Sequence, residues 1–125
     1  HPLDIRHHTL IHDDTIANER ARPNWEEWVR LAGVTGIDTN AGPHFRDSGL
    51  ALAAAIDGLG IALASMPIAA TEIAAGRLVA PFKVAVQQPY AYYLVAPMAI
   101  SSRREVESFR RWIVDEAASM KKSER

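Results

Sequence analysis

Apolar and polar positions sort this chain into short runs that alternate in kind. Thr9-Leu10-Ile11-His12 predicts a short strand, closed by Asp13-Asp14-Thr15, whose side chains favour turns and caps. Before it, His1 to His8 is polar and without period, and Pro2 argues against a helix starting there. Residues 15–24 read as a loop that ends at Pro23. Trp25, Trp28 and Leu31/Ala32 then recur at helical spacing. Asn24 and Glu27 are spaced as a capping box, and Gly33 suits the residue after the C-cap. Val34 to Arg46, punctuated by Gly36, Gly42 and Pro43, admits loop or strand.

Residues 47–76 read helix, strand, helix. Gly49 to Ile56, preceded by Asp47-Ser48, is a strong helix-forming run with Leu52, Ile56 and Leu59 on one face, ended by Gly58 and Gly60. Ile61-Ala62-Leu63-Ala64-Ser65 is apolar without alternation, which suits a strand covered on both faces. Pro67 fits the first turn of a further helix that Gly76 ends. Leu78 to Phe82 is a candidate strand in which Pro81 argues for an edge. Tyr90 to Ala96 has the clearest strand composition in the chain. Ser102 and Glu105 suggest a second capping box, opening a helix whose apolar face is Val106, Phe109, Ile113 and Ala117. Residues 119–125 form a charged tail expected to fray. Helices alternating with buried strands predict α/β architecture, and no internal repeat or low-complexity tract appears.

Composition narrows the function classes. The 125 residues suffice for one domain or part of a larger one, and 48% apolar with 23% charged argues against wholesale disorder. A net charge of −1 gives no electrostatic case for gripping a phosphate backbone over a broad face. The absence of cysteine excludes disulfides, thiolate zinc sites and cysteine nucleophiles, and fits a reducing compartment. No apolar run reaches membrane-spanning length, and no charged-then-apolar signal segment follows His1. The chain is expected to be a processed product or a piece of a longer one. No G-x-S-x-G elbow or phosphate-binding loop is present, and Gly58-Leu59-Gly60 lacks the third glycine of a dinucleotide fingerprint, so no catalysis and no cofactor are expected.

Candidate chemistry concentrates at a few places. His7, His8 and His12 beside Asp13 and Asp14 invite a metal-site reading, but extended residues 8–12 would put His8 and His12 about 13 Å apart, and no metal is expected. His12, Asp13 and Asp14 instead end a strand, where ligands of open α/β sheets bind; a turn capped by aspartate accounts for them equally. Asp47-Ser48 opens a helix whose N-terminus can take an anion, with Ser48 adding a hydroxyl. Asp47 would repel an anion but hold an ammonium or hydroxyl group; an N-cap role fits it as well. Met66-Pro67 begins another helix beside the sheet, where Pro67 needs no role beyond starting it. Trp25, Trp28 and Trp112 read as packing residues. Arg103, Arg104, Arg110 and Arg111 are offset by Glu105, Glu107, Asp115 and Glu116, so that face reads as solvated.

Taken in order, His1-Pro2-Leu3, Asp47-Ser48, Gly58-Leu59-Gly60-Ile61-Ala62, Pro67, Gly76-Arg77-Leu78-Val79, Tyr92-Tyr93-Leu94-Val95 and Phe109-Arg110-Arg111-Trp112-Ile113 carry a resemblance. Over nearly its whole length the chain resembles the second half of the effector-binding region of LysR-type transcriptional regulators, nearest the glycine-cleavage-activator-like subgroup. The resemblance implies a two-lobed fold like that of periplasmic solute-binding proteins (type II), with a central mixed, mostly parallel sheet flanked by helices. Residues 1–8 would be the exit segment from the first lobe, 9–96 the second lobe, and 97–125 the return to the first. A small polar metabolite would lie between the lobes, with His12, Asp13, Asp14, Asp47, Ser48, Met66 and Pro67 as effector-binding candidates. DNA would be bound only through a winged helix-turn-helix upstream of His1. The resemblance further implies a cytoplasmic homo-oligomer without membrane contact. The stretch Thr15 to Asn24 departs from the family by its length. A lobe of a free-standing solute-binding protein is the alternative reading.

Overall fold

Leu10 and Ile11 are only 4% and 1% exposed, because the strand they open is covered along both edges and on both faces. In the computed structural model, which describes residues 1–16 and 22–123, this strand is β1 (Leu10–Asp13). It is paired in parallel with β2 (His44–Phe45) on one side and β3 (Ile61–Ala62) on the other, giving the order β2-β1-β3. The register sets His12 opposite His44, Asp13 opposite Phe45, Leu10 opposite Ile61 and Ile11 opposite Ala62. Parallel pairing needs long crossovers. Here α1 (Trp25–Leu31) lies between β1 and β2, and α2 (Ser48–Ile56) between β2 and β3. After β3 comes α3 (Met66–Ala74). Among the described residues all of the paired strands are parallel, in keeping with the α/β architecture and mostly parallel sheet expected.

The helices start and stop where their sequences direct. Asn24 accepts a hydrogen bond from the Glu27 amide at 2.8 Å, although Glu27 turns its carboxylate toward Arg30 rather than closing the capping box. At the other end of α1, Gly33 adopts φ +66 and the amides of Gly33 and Val34 return to Arg30 and Val29. This is the Schellman pattern, which satisfies carbonyls the helix leaves free. Gly58 and Gly76 close α2 and α3 in the same way.

The core gathers Ile5, Leu10, Trp25, Trp28, Val29 and Val34. Trp25 donates its indole N–H to Ile11 O at 2.9 Å, and Trp28 donates to Val84 O at 3.2 Å. The two indoles meet edge to face at 5.7 Å. Trp112 departs from its expected packing role, being 56% exposed and resting beside Phe109.

Several sequence expectations are corrected. Pro2–His7 form a 3-10 helix despite Pro2, because proline at the first position lacks only an N–H that would have had no partner. Of the strand expected over Ile61–Ser65, only Ile61 and Ala62 join the ladder. No strand forms over Leu78–Phe82; the alternating segment lies just beyond it, where Phe82, Val84 and Val86 pack on the core and Lys83 and Ala85 are exposed. Tyr90–Ala96 likewise forms no strand, since a strand requires a ladder and none of the described residues pairs with it. Ser102 is the C-cap of the short helix α4 (Met98–Ser101) at φ −89 and ψ 0, not the extended cap of the next helix. That helix, α5 (Arg104–Ser123), runs on through most of the tail expected to fray. Much of the predicted 15–24 loop, residues 17–21, lies outside the described residues.

The chain divides into two compact units, His1–Pro89 and Tyr90–Arg125. The first holds the sheet with α1, α2 and α3; the second holds α4 and α5. Among the described residues, no helix is long and apolar enough to cross a membrane.

Candidate functional site

Because the strands are parallel, their C-terminal ends share one edge of the sheet. Three chain segments emerge there: His12–Thr15 from β1, Arg46–Ser48 from β2 and Leu63–Pro67 from β3. The first two are tied directly. Ser48 Oγ donates to Asp13 Oδ2 at 2.6 Å and lies 3.1 Å from Thr15 Oγ1. The Thr15 amide donates to Asp13 Oδ1 at 2.9 Å, so both carboxylate oxygens are engaged. Burial pushes the Asp13 carboxyl up; bonds from Ser48, the Thr15 hydroxyl and the Thr15 amide, with the charge of Arg22, outweigh it and hold the group below its ordinary 3.8.

A group with a depressed folded-state value contributes stability that is complete above the unfolded value and is lost as pH falls through the folded one. Urea unfolding of the wild type and of Asp13→Asn is therefore expected to differ most above about pH 4 and to converge in more acidic solution. A difference that stays constant across that range would show that the bonds to Asp13 do not favour its ionised form.

Asp47 performs the cap role, with Oδ1 accepting from the Leu50 amide at 3.0 Å at the start of α2. Asp14 is bridged on two sides, by Arg22 Nη1 at 3.0 Å and by His44 Nδ1 at 2.9 Å. His12 reaches Ala41 O through Nε2 at 3.1 Å. Its ring stacks on that of His44, with centroids 4.0 Å apart and planes 12° from parallel. His44 escaped the sequence reading. The signal for it is the register alone, which sets residues 12 and 44 side by side on neighbouring strands.

Met66 and Pro67 open α3 at the same edge but make no hydrogen bond to the Asp13 cluster. The cap before them is incomplete: Ser65 makes no side-chain cap bond and its buried Oγ has no partner. Proline at the second helical position removes one of the amides a serine cap would serve. His7 closes the 3-10 helix and His8 follows it, at the opposite end of β1. Among the described residues, no group of three or more His, Asp or Glu side chains is placed to hold a metal ion. The edge thus brings together Asp13, Asp14, Ser48 and, through His44, His12. Asp47 adjoins them, and Met66 and Pro67 share only the edge.

Residues 1–118 match the LysR substrate binding domain. The chain belongs to that family. The LysR family is one of regulators, not enzymes, and this chain lies within the effector-binding domain of its members. The glycine cleavage system transcriptional activator of Escherichia coli K12 is 38% identical over 118 residues, covering 94% of this chain and 37% of that protein. Its homologue in Haemophilus influenzae is 32% identical over 114 residues, 91% of this chain and 36% of that one. The HTH-type transcriptional activator AmpR of Rhodobacter capsulatus is 34% identical over 119 residues, 94% and 38% respectively. The chain therefore spans little more than a third of the length of these relatives. Among solved structures, the effector domain of AmpR from Pseudomonas aeruginosa superposes with a TM-score of 0.63 at 24% identity, over 98% of this chain and 56% of that one. That likeness concerns the fold.

Proposed function

We propose that this chain forms the second lobe of a LysR-type effector domain and holds a small polar metabolite against the C-terminal edge of its parallel sheet. The observation that carries the reading is the junction of β1 with α2. There Ser48 and Asp13 are locked together at 2.6 Å, at the strand ends where open α/β sheets bind ligands. His12, Asp13, Asp14, Asp47, Ser48, Met66 and Pro67 are the residues that would face the metabolite. Residues 1–8 enter from a first lobe, 9–96 build the second, and 97–125 return. The match of this chain to 56% of the AmpR effector-domain chain is in keeping with a piece that makes up part of such a domain. In the whole protein, an upstream winged helix-turn-helix would bind DNA, copies would associate, and the regulator would act in the cytoplasm. The names of the relatives as transcriptional activators favour this over a free-standing solute-binding protein.

The test uses the full-length regulator. A panel of small polar metabolites is screened for thermal stabilisation, and the ligand found is titrated by calorimetry against wild type and Ser48→Ala. Loss of one hydrogen bond predicts weakening by about 1 kcal/mol, roughly fivefold, and more for a charged ligand. Unchanged affinity with the fold intact removes Ser48 from the site.

A further inference from the structure

The opposite edge of the sheet, at the N-terminal ends of the strands, carries a depression of about 340 Å3. One wall comes from the 3-10 helix and the residue after it, which supply Ile5, Arg6 and His8. The other comes from the loop between α1 and β2, which supplies Ile37 and Asp38, while Leu10 lines the space between. Apolar lining thus lies between a basic residue, Arg6, on one side and an acidic one, Asp38, on the other. Among the described residues neither Arg6 nor Asp38 enters an ion pair. Among the described residues Arg6 commits only Nε, to Leu3 O at 3.0 Å, and its terminal nitrogens have no other acceptor there.

The far wall is held in shape. The Asn40 amide donates to Asp38 Oδ1 at 3.0 Å, leaving Oδ2 to accept. Ala41 O receives the bond from His12, and Gly42 sits directly against the Leu10 carbonyl. The volume is within the range of small-molecule sites, which combine apolar lining with a few placed polar groups.

We propose that this depression binds a small zwitterion with an apolar side chain, of the size of a branched-chain α-amino acid. The ligand carboxylate meets Arg6, its ammonium group meets Asp38, and its side chain covers Ile37. The site is separate from the Asp13 edge and does not depend on the function proposed for that edge.

Amide NMR spectra of the chain titrated with L-leucine test the site. Two fragments serve as comparison ligands: 4-methylpentanoate, which lacks the ammonium group, and 3-methylbutylamine, which lacks the carboxylate. Saturable shifts at Thr9, Gly36 and Gly42 are expected with L-leucine, and clearly weaker binding with either fragment. Arg6→Gln and Asp38→Asn are each expected to weaken L-leucine binding two- to fivefold, the worth of one charged contact at an exposed rim. Both residues are exposed, and the same spectra report whether the variants are folded. Ser48→Ala should leave the binding unchanged. Absence of saturable shifts at those amides, equal binding of the fragments, or insensitivity to both charge substitutions would overturn the proposal, as would shifts centred on the Asp13 edge.

Discussion

Trp25→Ala is expected to remove about 3–5 kcal/mol of folding stability, the usual cost of emptying an aromatic core site. The side chain is 2% exposed, packs edge to face on Trp28 and donates its indole N–H to Ile11 O on β1. One residue therefore fastens α1 to the central strand both by apolar contact and by a buried polar bond. Domains of this size are stable by about 5–15 kcal/mol in total, so the variant would keep little margin. Trp25→Phe separates the two contributions. It keeps most of the ring and loses the donor, and should cost less than the alanine variant, about 1–3 kcal/mol for the carbonyl left without its partner. Urea unfolding followed by circular dichroism measures both. A loss below about 1 kcal/mol for Trp25→Ala would mean that the ring is not seated in the core as described.

Gly42→Ala is the second large effect, through the backbone and not through lost packing. Gly42 has φ +120, which side-chain-bearing residues rarely adopt, and an added Cβ would run into the Leu10 carbonyl oxygen. The collision is with main chain inside the sheet, so no rotamer change relieves it. A destabilisation of about 3 kcal/mol or more is expected, combining conformational strain with displacement of β2 from β1. Gly58→Ala is the matched control. Gly58 has φ +79 with nothing within 4 Å of an added Cβ, so only the left-handed penalty of about 1–2 kcal/mol applies. If the two variants unfold at the same urea concentration, the close approach at Gly42 does not constrain the sheet.

What could be read from the chain beforehand follows the range of the interactions. Helices declared themselves locally: Asn24, Asp47 and the three closing glycines Gly33, Gly58 and Gly76 act within four or five residues of themselves. Strands did not, because pairing is decided elsewhere in the chain. Tyr90–Ala96 has a strand's composition and forms no ladder, while His44–Phe45 is only two residues long and is a strand only because β1 lies beside it. The candidate site divides in the same manner. The Asp47 cap was legible, as was the position of Asp13 at a strand end. The bond from Ser48 to Asp13 spans 35 residues, and the stack of His12 on His44 depends on register. No spacing rule connects such pairs. Ser102 shows the converse error: its sequence context is that of a cap, but the preceding turn, Met98–Ser101, claims it first.

The pairing of Trp28 with the segment Phe82–Val86 gives the chain an optical gauge. Trp28 is buried, with its N–H on Val84 O and its ring 5.3 Å from that of Phe82, whereas Trp112 is more than half exposed. Indole emission shifts to the red as the ring meets water, so the blue side of the spectrum belongs to Trp25 and Trp28. Lifting Val84 from α1 would bare the Trp28 ring and strip its hydrogen-bond acceptor at once. Detachment of this segment would therefore register as a change of colour, without any dye attached to the protein.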